Sequence, residues 1–520
     1  MKKDMKKKKI IIIGAGCSGL SAGIYGQKFG YDTEIYEKNP NNGGLCVSWV
    51  RKDTLIDGCI HWMTGTKEGT DLNKLWKQLN AFDPEDIIYS DNFGSFEHEG
   101  KIFTFWCDLK KFEQECLEIS PEDKRMIRKT VKLIEKIYYM PIPVKRPLAA
   151  TGLFSYIKIG LKLLPYLPSF IYSSKTSCAK YARKFKSPFL RFILTKIVPG
   201  DENLYGTLYA YGTAAFCNGG VPRGGSQYLI QRMQNEYKNC GGIIHNNAEI
   251  DEILIEKKEV VGLKLKNGEV VKGDYYITCC DAYEAMRHLL RKHYYDAHLL
   301  KRFKRMQQYP TPSCVYVSFK ADSEALSKLN ITSTFEFECD PIQVGTKIEK
   351  SIKMRDYSYD KSLINKDGKV LLNILIHQND KDYYYWENLR KDYKKYYEQK
   401  NKIAEEVKLR IIKRFPSLEG QLETIDVCTP MTYKRYVNAY RGGYMSWAFT
   451  QNGRQLIHKM TYRNIKNLIL SGQWVIMPGG LPPAMLSGKF AIQLCCKKDY
   501  RNTVLKEDKL CYQNHKLLKS

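Results

Sequence analysis

The stretch Ile10-Ile11-Ile12-Ile13-Gly14-Ala15-Gly16-Cys17-Ser18-Gly19 decides how the remaining sequence is read. Four consecutive isoleucines predict a short strand buried on both faces, the habit of parallel sheets. The strand runs directly into the spacing G-x-G-x-x-G, and Leu20 to Gly26 follow with a helical placing of apolar and small residues. A second strand reads Thr33 to Tyr36 and ends on Glu37, 23 residues after Gly14. Strand, glycine turn, helix and acid-terminated strand are the context that a dinucleotide-binding turn requires. Gly14 permits the tight turn, Gly16 lets a pyrophosphate approach the backbone, and Gly19 lets the helix close on the strand. Ala15 and Ser18 fill the turn, whose helix N-terminus presents N–H groups to phosphate. Glu37, followed by Lys38, can accept hydrogen bonds from ribose hydroxyls.

Bulk composition sets the outer bounds. A chain of 520 residues with 43% hydrophobic and 12% aromatic content is globular and large enough for several domain-sized units. Lys and Arg outnumber Asp and Glu by 83 to 56, a net charge of +27 that favours anionic partners. A Lys- and Ile-rich usage across the source genome would give the same excess. The 16 cysteines contain no CxxC, so neither a zinc ribbon nor a small disulfide scaffold is indicated, and a reducing compartment is expected. No metal-ligand spacing stands out. The lysines before Ile10 imitate a secretory signal, but four isoleucines are too short a core for one.

Downstream, Asn41-Asn42-Gly43-Gly44-Leu45 resembles the glycine doublet of glutathione-reductase-like flavoproteins, in which the chain passes close to an extended ligand. Relatives often carry Arg after the doublet to contact the pyrophosphate. Leu45 stands there instead, with Arg51 or a backbone amide as the substitute. Asp57-Gly58-Cys59-Ile60-His61-Trp62 is similar to the segment running under the flavin ring in that class. The resemblance implies that His61 and Trp62 line the active site, with His61 as proton donor or orienting group.

Two later returns complete the pattern. Val221-Pro222-Arg223-Gly224-Gly225-Ser226 resembles the Pro-(Lys/Arg)-Gly-Gly segment of phytoene desaturases, carotenoid isomerases and retinol saturases. Strands then alternate from Ala248 to Ile255 and from Val270 to Ile277, joined through a turn at Lys266-Asn267-Gly268-Glu269. In the resembled family this meander touches adenine through backbone, and Ile250 takes that place. Finally Leu468-Ile469-Leu470-Ser471-Gly472 and Met477-Pro478-Gly479-Gly480 lead to a helix from about Pro483. The resemblance implies that Gly472, Gly480, Ala484 and Met485 face the flavin and its ribityl chain. Gln473 stands where many flavoproteins have Asp, as in the desaturase class.

The family implies an α/β fold: a glutathione-reductase-like, FAD-binding Rossmann fold with an interleaved α+β substrate domain. Its discontinuous FAD domain is expected at 1–85, 216–300 and 441–500. A helical, basic insertion is expected at 86–215, an α+β substrate domain at 301–440, and a tail at 501–520. From Lys136 to Gly200 there are twelve Lys or Arg and no acid, with dense apolar residues between Leu153 and Ile171. The longest uncharged piece, Leu163 to Ser174, is 12 residues, against roughly 20 needed to span a bilayer. The stretch reads as a surface dipping into one anionic leaflet, or as a buried lid with lysines solvating its outer face. In the substrate domain, strands are expected near Cys314–Lys320, Val370–His377 and Leu422–Cys428, with one long helix over Glu387–Arg414. The Thr429–Tyr433 segment resembles the closure of the desaturase cavity, which places Gly225 and Tyr433 with His61 and Trp62 in the substrate pocket.

The expected activity is FAD-dependent desaturation, saturation or redox-neutral isomerisation of a lipophilic unsaturated substrate of carotenoid, retinoid or related lipid type. NAD(P) is conceivable as electron partner but no motif indicates it. A flavin amine oxidase shares the fold, as does a non-catalytic prenyl-binding protein of the GDP-dissociation-inhibitor type. The intact glycine turn and Glu37 weigh against the latter. A nucleic-acid partner is not expected, since the basic run is too apolar for a phosphate groove. The expected place is cytoplasmic, peripheral on the inner membrane face. Nothing in the sequence speaks to oligomeric state.

Overall fold

A computed structural model describes residues 7–147, 151, 153–197, 203–291, 296–454, 457–462 and 464–501. The expected tail beyond Arg501 lies outside the described residues, as do positions 148–150, 152 and 198–200 of the basic stretch.

Three distant stretches build one five-stranded parallel sheet. Its order is Ile243–His245, Asp32–Tyr36, Lys9–Ile13, Tyr275–Thr278, Leu468–Leu470. Every neighbouring pair is parallel. The isoleucines from Ile10 to Ile13 are buried, as strands covered by helices on both faces must be. Helix Cys17–Lys28 packs on the C-terminal helix Leu481–Lys498. The contact is close because Gly488 lies against it: a Cβ there would fall 2.4 Å from the Ser18 carbonyl oxygen. Buried hydroxyls tie the same segments together, with Ser18 Oγ 2.7 Å from Ser471 Oγ and 3.2 Å from Ser487 Oγ. The strands Ile250–Glu256, Glu259–Leu265 and Val270–Val271 form an antiparallel meander.

A second sheet has seven strands. Its order is Leu422–Cys428, Ser313–Asp322, Lys369–Gln378, Lys347–Asp356, Thr334–Val344, Asn92–His98, Lys101–Trp106. The last two strands correct the expectation of a helical 86–215 insertion at its start. Phe96, Phe103 and Phe105 are buried at strand spacing, and Glu99-Gly100 turns with both φ angles positive. That turn geometry matches the twist of a two-stranded hairpin. The hairpin then pairs in parallel with Thr334–Val344. Helices follow, including Lys124–Tyr138 and Leu204–Ala215, around a satellite core. The single long helix expected over Glu387–Arg414 is two, Asp380–Leu389 and Tyr393–Arg414. Asp392 breaks it by accepting a hydrogen bond from Lys395 N as an N-cap.

Candidate functional site

The glycine turn, Glu37 and the glycine doublet converge. Gly14 has φ +99°, and helix Cys17–Lys28 starts at Gly16 without a side-chain cap. The buried Glu37 turns its carboxylate into the turn: Oε2 accepts from Ala15 N at 2.9 Å, and Oε1 from Asn39 N and Nδ2 at 2.9 Å. Gly43 N donates to the Ala15 carbonyl at 2.9 Å, and Gly16 bridges to Gly43. Ala248 N donates to the Glu37 carbonyl at 2.8 Å, which brings the buried Ile250 and its strand to the same edge. Lys38 reaches away, donating to Asn438 Oδ1 at 2.9 Å.

The C-terminal return meets this group from the far side. Gly472 has φ +110° and its N–H donates to Ser487 Oγ at 2.9 Å. The last helix begins at Gly480 with φ +85°, no side-chain cap, and no atom within 4 Å of where a Cβ would be. Ala484 N donates to the Gly480 carbonyl. Met485 is fully buried between helices, and its carbonyl accepts from Ser21 Oγ at 2.7 Å, so backbone rather than side chain is what it offers. The open space at Gly480, the uncapped helix starts and the buried acid fit an extended, doubly phosphorylated dinucleotide. Arg51 does not supply the missing pyrophosphate contact, because it is exposed and faces Asp426 at 3.7 Å.

A cavity of about 1440 Å³ lies between the two sheets' domains. Its wall includes Leu45, the Gly58–Thr64 segment, the Gly479–Pro483 start of the last helix, and Tyr316, Lys353, Arg355 and His377 from the seven-stranded sheet. His61 and Trp62 both line it. His61 Nε2 lies 3.3 Å from Tyr316 Oη, and the His61 carbonyl accepts from Arg355 Nη2 at 2.8 Å. Burial holds the His61 pKa well below the ordinary range, with the charges of Arg355, Lys353 and His377 adding to the shift. The imidazole is therefore neutral near pH 7 and donates through one nitrogen only. Trp62 stands edge-on to Phe93 at 5.4 Å.

Gly225 and Tyr433 are corrections, for neither lines the cavity. Gly225 opens the helix Gly225–Asn239 with φ +64°, and a Cβ there would sit 2.0 Å from Asp57 Oδ2. The space is taken by a bond network: Asp57 accepts from Ser226 N at 2.7 Å, Ser226 Oγ at 2.6 Å and Cys59 N at 2.9 Å. Asp57 thus fixes the segment carrying His61, a role not read from the sequence. Burial raises its pKa, against the pull of these bonds. Tyr433 lies behind the wall, where Cys314 Sγ donates to its hydroxyl at 3.5 Å. Lys353, Arg355, His377 and Tyr316 were also missed. The signal was the alternation Ile352-Lys353-Met354-Arg355, which marks a strand with one polar face.

With this geometry in hand, comparison with known proteins places the chain in a class. The profile of the family described as flavin containing amine oxidoreductase matches residues 17–495, and the chain belongs to that family. It is an FAD-dependent oxidoreductase of α/β, Rossmann-type fold. A phytoene desaturase (lycopene-forming) from Paracoccus sp. is 26% identical over 290 residues, covering 54% of this chain and 56% of that protein. The human all-trans-retinol 13,14-reductase is 21% identical over 562 residues, covering 96% and 87%. A solved oxidoreductase from Methanosarcina mazei superposes with a TM-score of 0.57 at 16% identity, covering 92% of this chain and 98% of its own. Among the described residues no helix is long and apolar enough to cross a membrane.

Proposed function

We propose that this flavoenzyme acts on a lipophilic, unsaturated substrate of carotenoid, retinoid or related lipid type, desaturating, saturating or isomerising it. One observation carries the reading: a cavity of about 1440 Å³, walled mostly by apolar side chains, touches both the His61 segment and the start of the last helix. The names of the relatives from Paracoccus and human point the same way. In this reading Gly14, Ala15, Gly16, Ser18 and Gly19 would hold the pyrophosphate and Glu37 the ribose, with Lys38 beside it. Gly43, Gly44 and Leu45 would flank the chain of the cofactor, Ile250 the adenine, and Gly472, Gly480, Ala484 and Met485 the ring end. When bound, FAD supplies two-electron chemistry at a carbon held against its ring. The chain's own part is to exclude water and fix the lipid, since an unactivated carbon needs proximity more than a strong acid. His61, neutral and tethered to Tyr316, orients or donates a single proton.

The substrate's route supports peripheral contact with a membrane. Helices Leu153–Leu163 and Leu167–Ser174, with the turn Leu164–Tyr166 between them, expose Phe154, Ile157, Leu161, Leu164 and Ile171 beside Lys158 and Lys162. Leu163, Leu167 and Phe170 of the same segment line the cavity. A lipid leaving an anionic leaflet would pass from one surface to the other without crossing water. An amine-oxidase reading fits less well, because Lys353 and Arg355 on the wall repel an ammonium group.

The test is anaerobic titration of the FAD-loaded protein with polyenes, fatty acids and amines. Polyenes are expected to bleach oxidised flavin or to reoxidise reduced flavin. Bleaching by amines alone, or a protein that stays colourless after FAD loading, would overturn the reading.

A further inference from the structure

The sheet wall of the cavity carries two cations, Lys353 and Arg355, that form no ion pair among the described residues. Along Lys347–Asp356 the side chains alternate, Ile352 and Met354 sinking into the core while Lys353 and Arg355 line the cavity. Lys353 Nζ lies 5.3 Å from the centre of the Phe96 ring and makes no ion pair among the described residues. The acid that acts on it, Glu336, is already engaged by Lys196 Nζ at 2.5 Å and Ser351 Oγ at 2.8 Å. Arg355 donates well only to the His61 carbonyl. Its contacts with Thr334 Oγ1 and Tyr359 Oη are 3.4 Å, and its Nε is buried without a partner. Asp91 is the one acid among the lining residues, and it is exposed to solvent. Burial lowers the Lys353 pKa, with Lys196 and Arg355 adding to the shift against Glu336.

A cation kept unpaired in an apolar cavity is costly, and the cost is relieved when a ligand brings the opposite charge. We propose that the substrate of this enzyme is an amphiphile with a carboxylate head, bound by Lys353 and Arg355, whose unsaturated tail fills the apolar remainder of the cavity. An ammonium and an under-partnered guanidinium suit the two oxygens of one carboxylate. A diphosphate head would bring more negative charge than these two groups neutralise. The inference rests on the lipophilic reading above and narrows it, because a pure hydrocarbon leaves both cations unmatched.

The test is equilibrium binding to the FAD-loaded protein near neutral pH, followed by flavin absorbance and tryptophan emission. The probes are retinoate against retinol, and linoleate against linoleyl alcohol. Each acid is expected to bind about tenfold or more tighter than its alcohol, as a charge-assisted hydrogen bond allows. The better of the two acids tells a retinoid-type chain from a fatty one. K353M is expected to remove most of the acid's advantage, and K353R to keep it. Equal binding of acid and alcohol by the native protein overturns the carboxylate head and leaves the lipophilic reading standing. Failure of all four probes to bind overturns both. If K353M keeps the full acid preference while shifting the flavin potential, the cations serve the cofactor and the proposal falls. Should K353M not fold, the native comparison and K353R still decide.

Discussion

The two sheets present their polar groups in opposite ways. In the parallel sheet Ile10 to Ile13 are buried on both faces, and the polar groups left at the strand ends are backbone N–H groups of the glycine turn together with one carboxylate, Glu37. In the seven-stranded sheet one face feeds the core through Ile352 and Met354, while the other presents Lys353, Arg355, Tyr316 and His377 to the cavity. Backbone recognition fixes where glycine must stand and leaves a spacing that survives in the sequence. Side-chain recognition needs only a polar strand face, whose residues can change without disturbing the fold. On the proposed reading, the nucleotide side is therefore held to one ligand, and the cavity side is open to variation.

The strongest way to break that contrast is at Gly19. A Cβ there would lie 1.9 Å from the Gly14 carbonyl oxygen, a backbone atom that cannot step aside without opening the turn. G19V is expected to lower FAD content per chain by more than about tenfold and stability by about 3 kcal/mol. Flavin absorbance of the purified protein and urea unfolding measure both. Retained FAD would show that the turn is not where the nucleotide is held. Close behind comes Asp57, which joins the Cys59–Ile60 turn on the cavity wall to Ser226 at the start of helix Gly225–Asn239. D57A strands several buried N–H groups, and a loss of about 3 kcal/mol is expected in urea unfolding, since each such group costs roughly 1–3 kcal/mol. A change under 1 kcal/mol, about the value of a single net hydrogen bond, would mean the network forms without it.

His377 sharpens the comparison through pH. Burial, with Lys353 and Lys347 nearby, pushes its pKa down to about 3. In the unfolded chain it takes a proton below about pH 6.5, whereas in the folded chain it stays neutral until about 3. Stability is therefore lost as pH falls through that window, at up to roughly 1.4 kcal/mol per unit. Between pH 7 and 5 the native protein is expected to lose about 2 kcal/mol that H377F keeps. His61 is present in both proteins and cancels in the difference. Parallel acid limbs for the two proteins would mean that His377 is charged and partnered in the fold.

How much of this was legible follows the same division. The glycine turn, the Gly43-Gly44 doublet and the Gly472 and Gly480 returns were readable because each is a backbone requirement with a spacing, and Glu37 because a lone acid ends the second strand at a fixed distance from the turn. Gly225 was read as cavity wall although its missing Cβ serves Asp57, a partner 168 positions away that no local pattern reveals. Tyr433, on helix Pro430–Val437, sits one layer too deep for the same reason: its neighbour Cys314 comes from a strand 119 positions earlier. The Asn92–Trp106 hairpin turns at Glu99-Gly100 rather than at the Asn-Gly or Asp-Gly that signal a tight turn, and it was taken into a helical block. Lys353 and Arg355 alternate visibly with apolar residues, but which face of their strand meets a cavity depends on what packs against the other.

The smallest effect concerns the exposed apolar helices, where neither sheet decides the outcome. Phe154 is 88% and Leu161 62% exposed, yet Leu163 and Leu167 on the same segment line the cavity. Solvent-facing side chains of that size contribute little to folding, so L161S is expected to change stability by less than about 0.5 kcal/mol. If the surface enters a leaflet, burying a leucine there is worth about 1.5–3 kcal/mol, and L161S should weaken binding to phosphatidylcholine–phosphatidylglycerol vesicles about tenfold. Vesicle co-sedimentation at low and high salt measures it. Binding should also weaken with salt, because Lys158 and Lys162 act through screened charge. A variant that sediments like the native protein while unfolding earlier would place Leu161 in an intramolecular contact, and the helices would then be a lid over the cavity instead of its membrane-facing mouth.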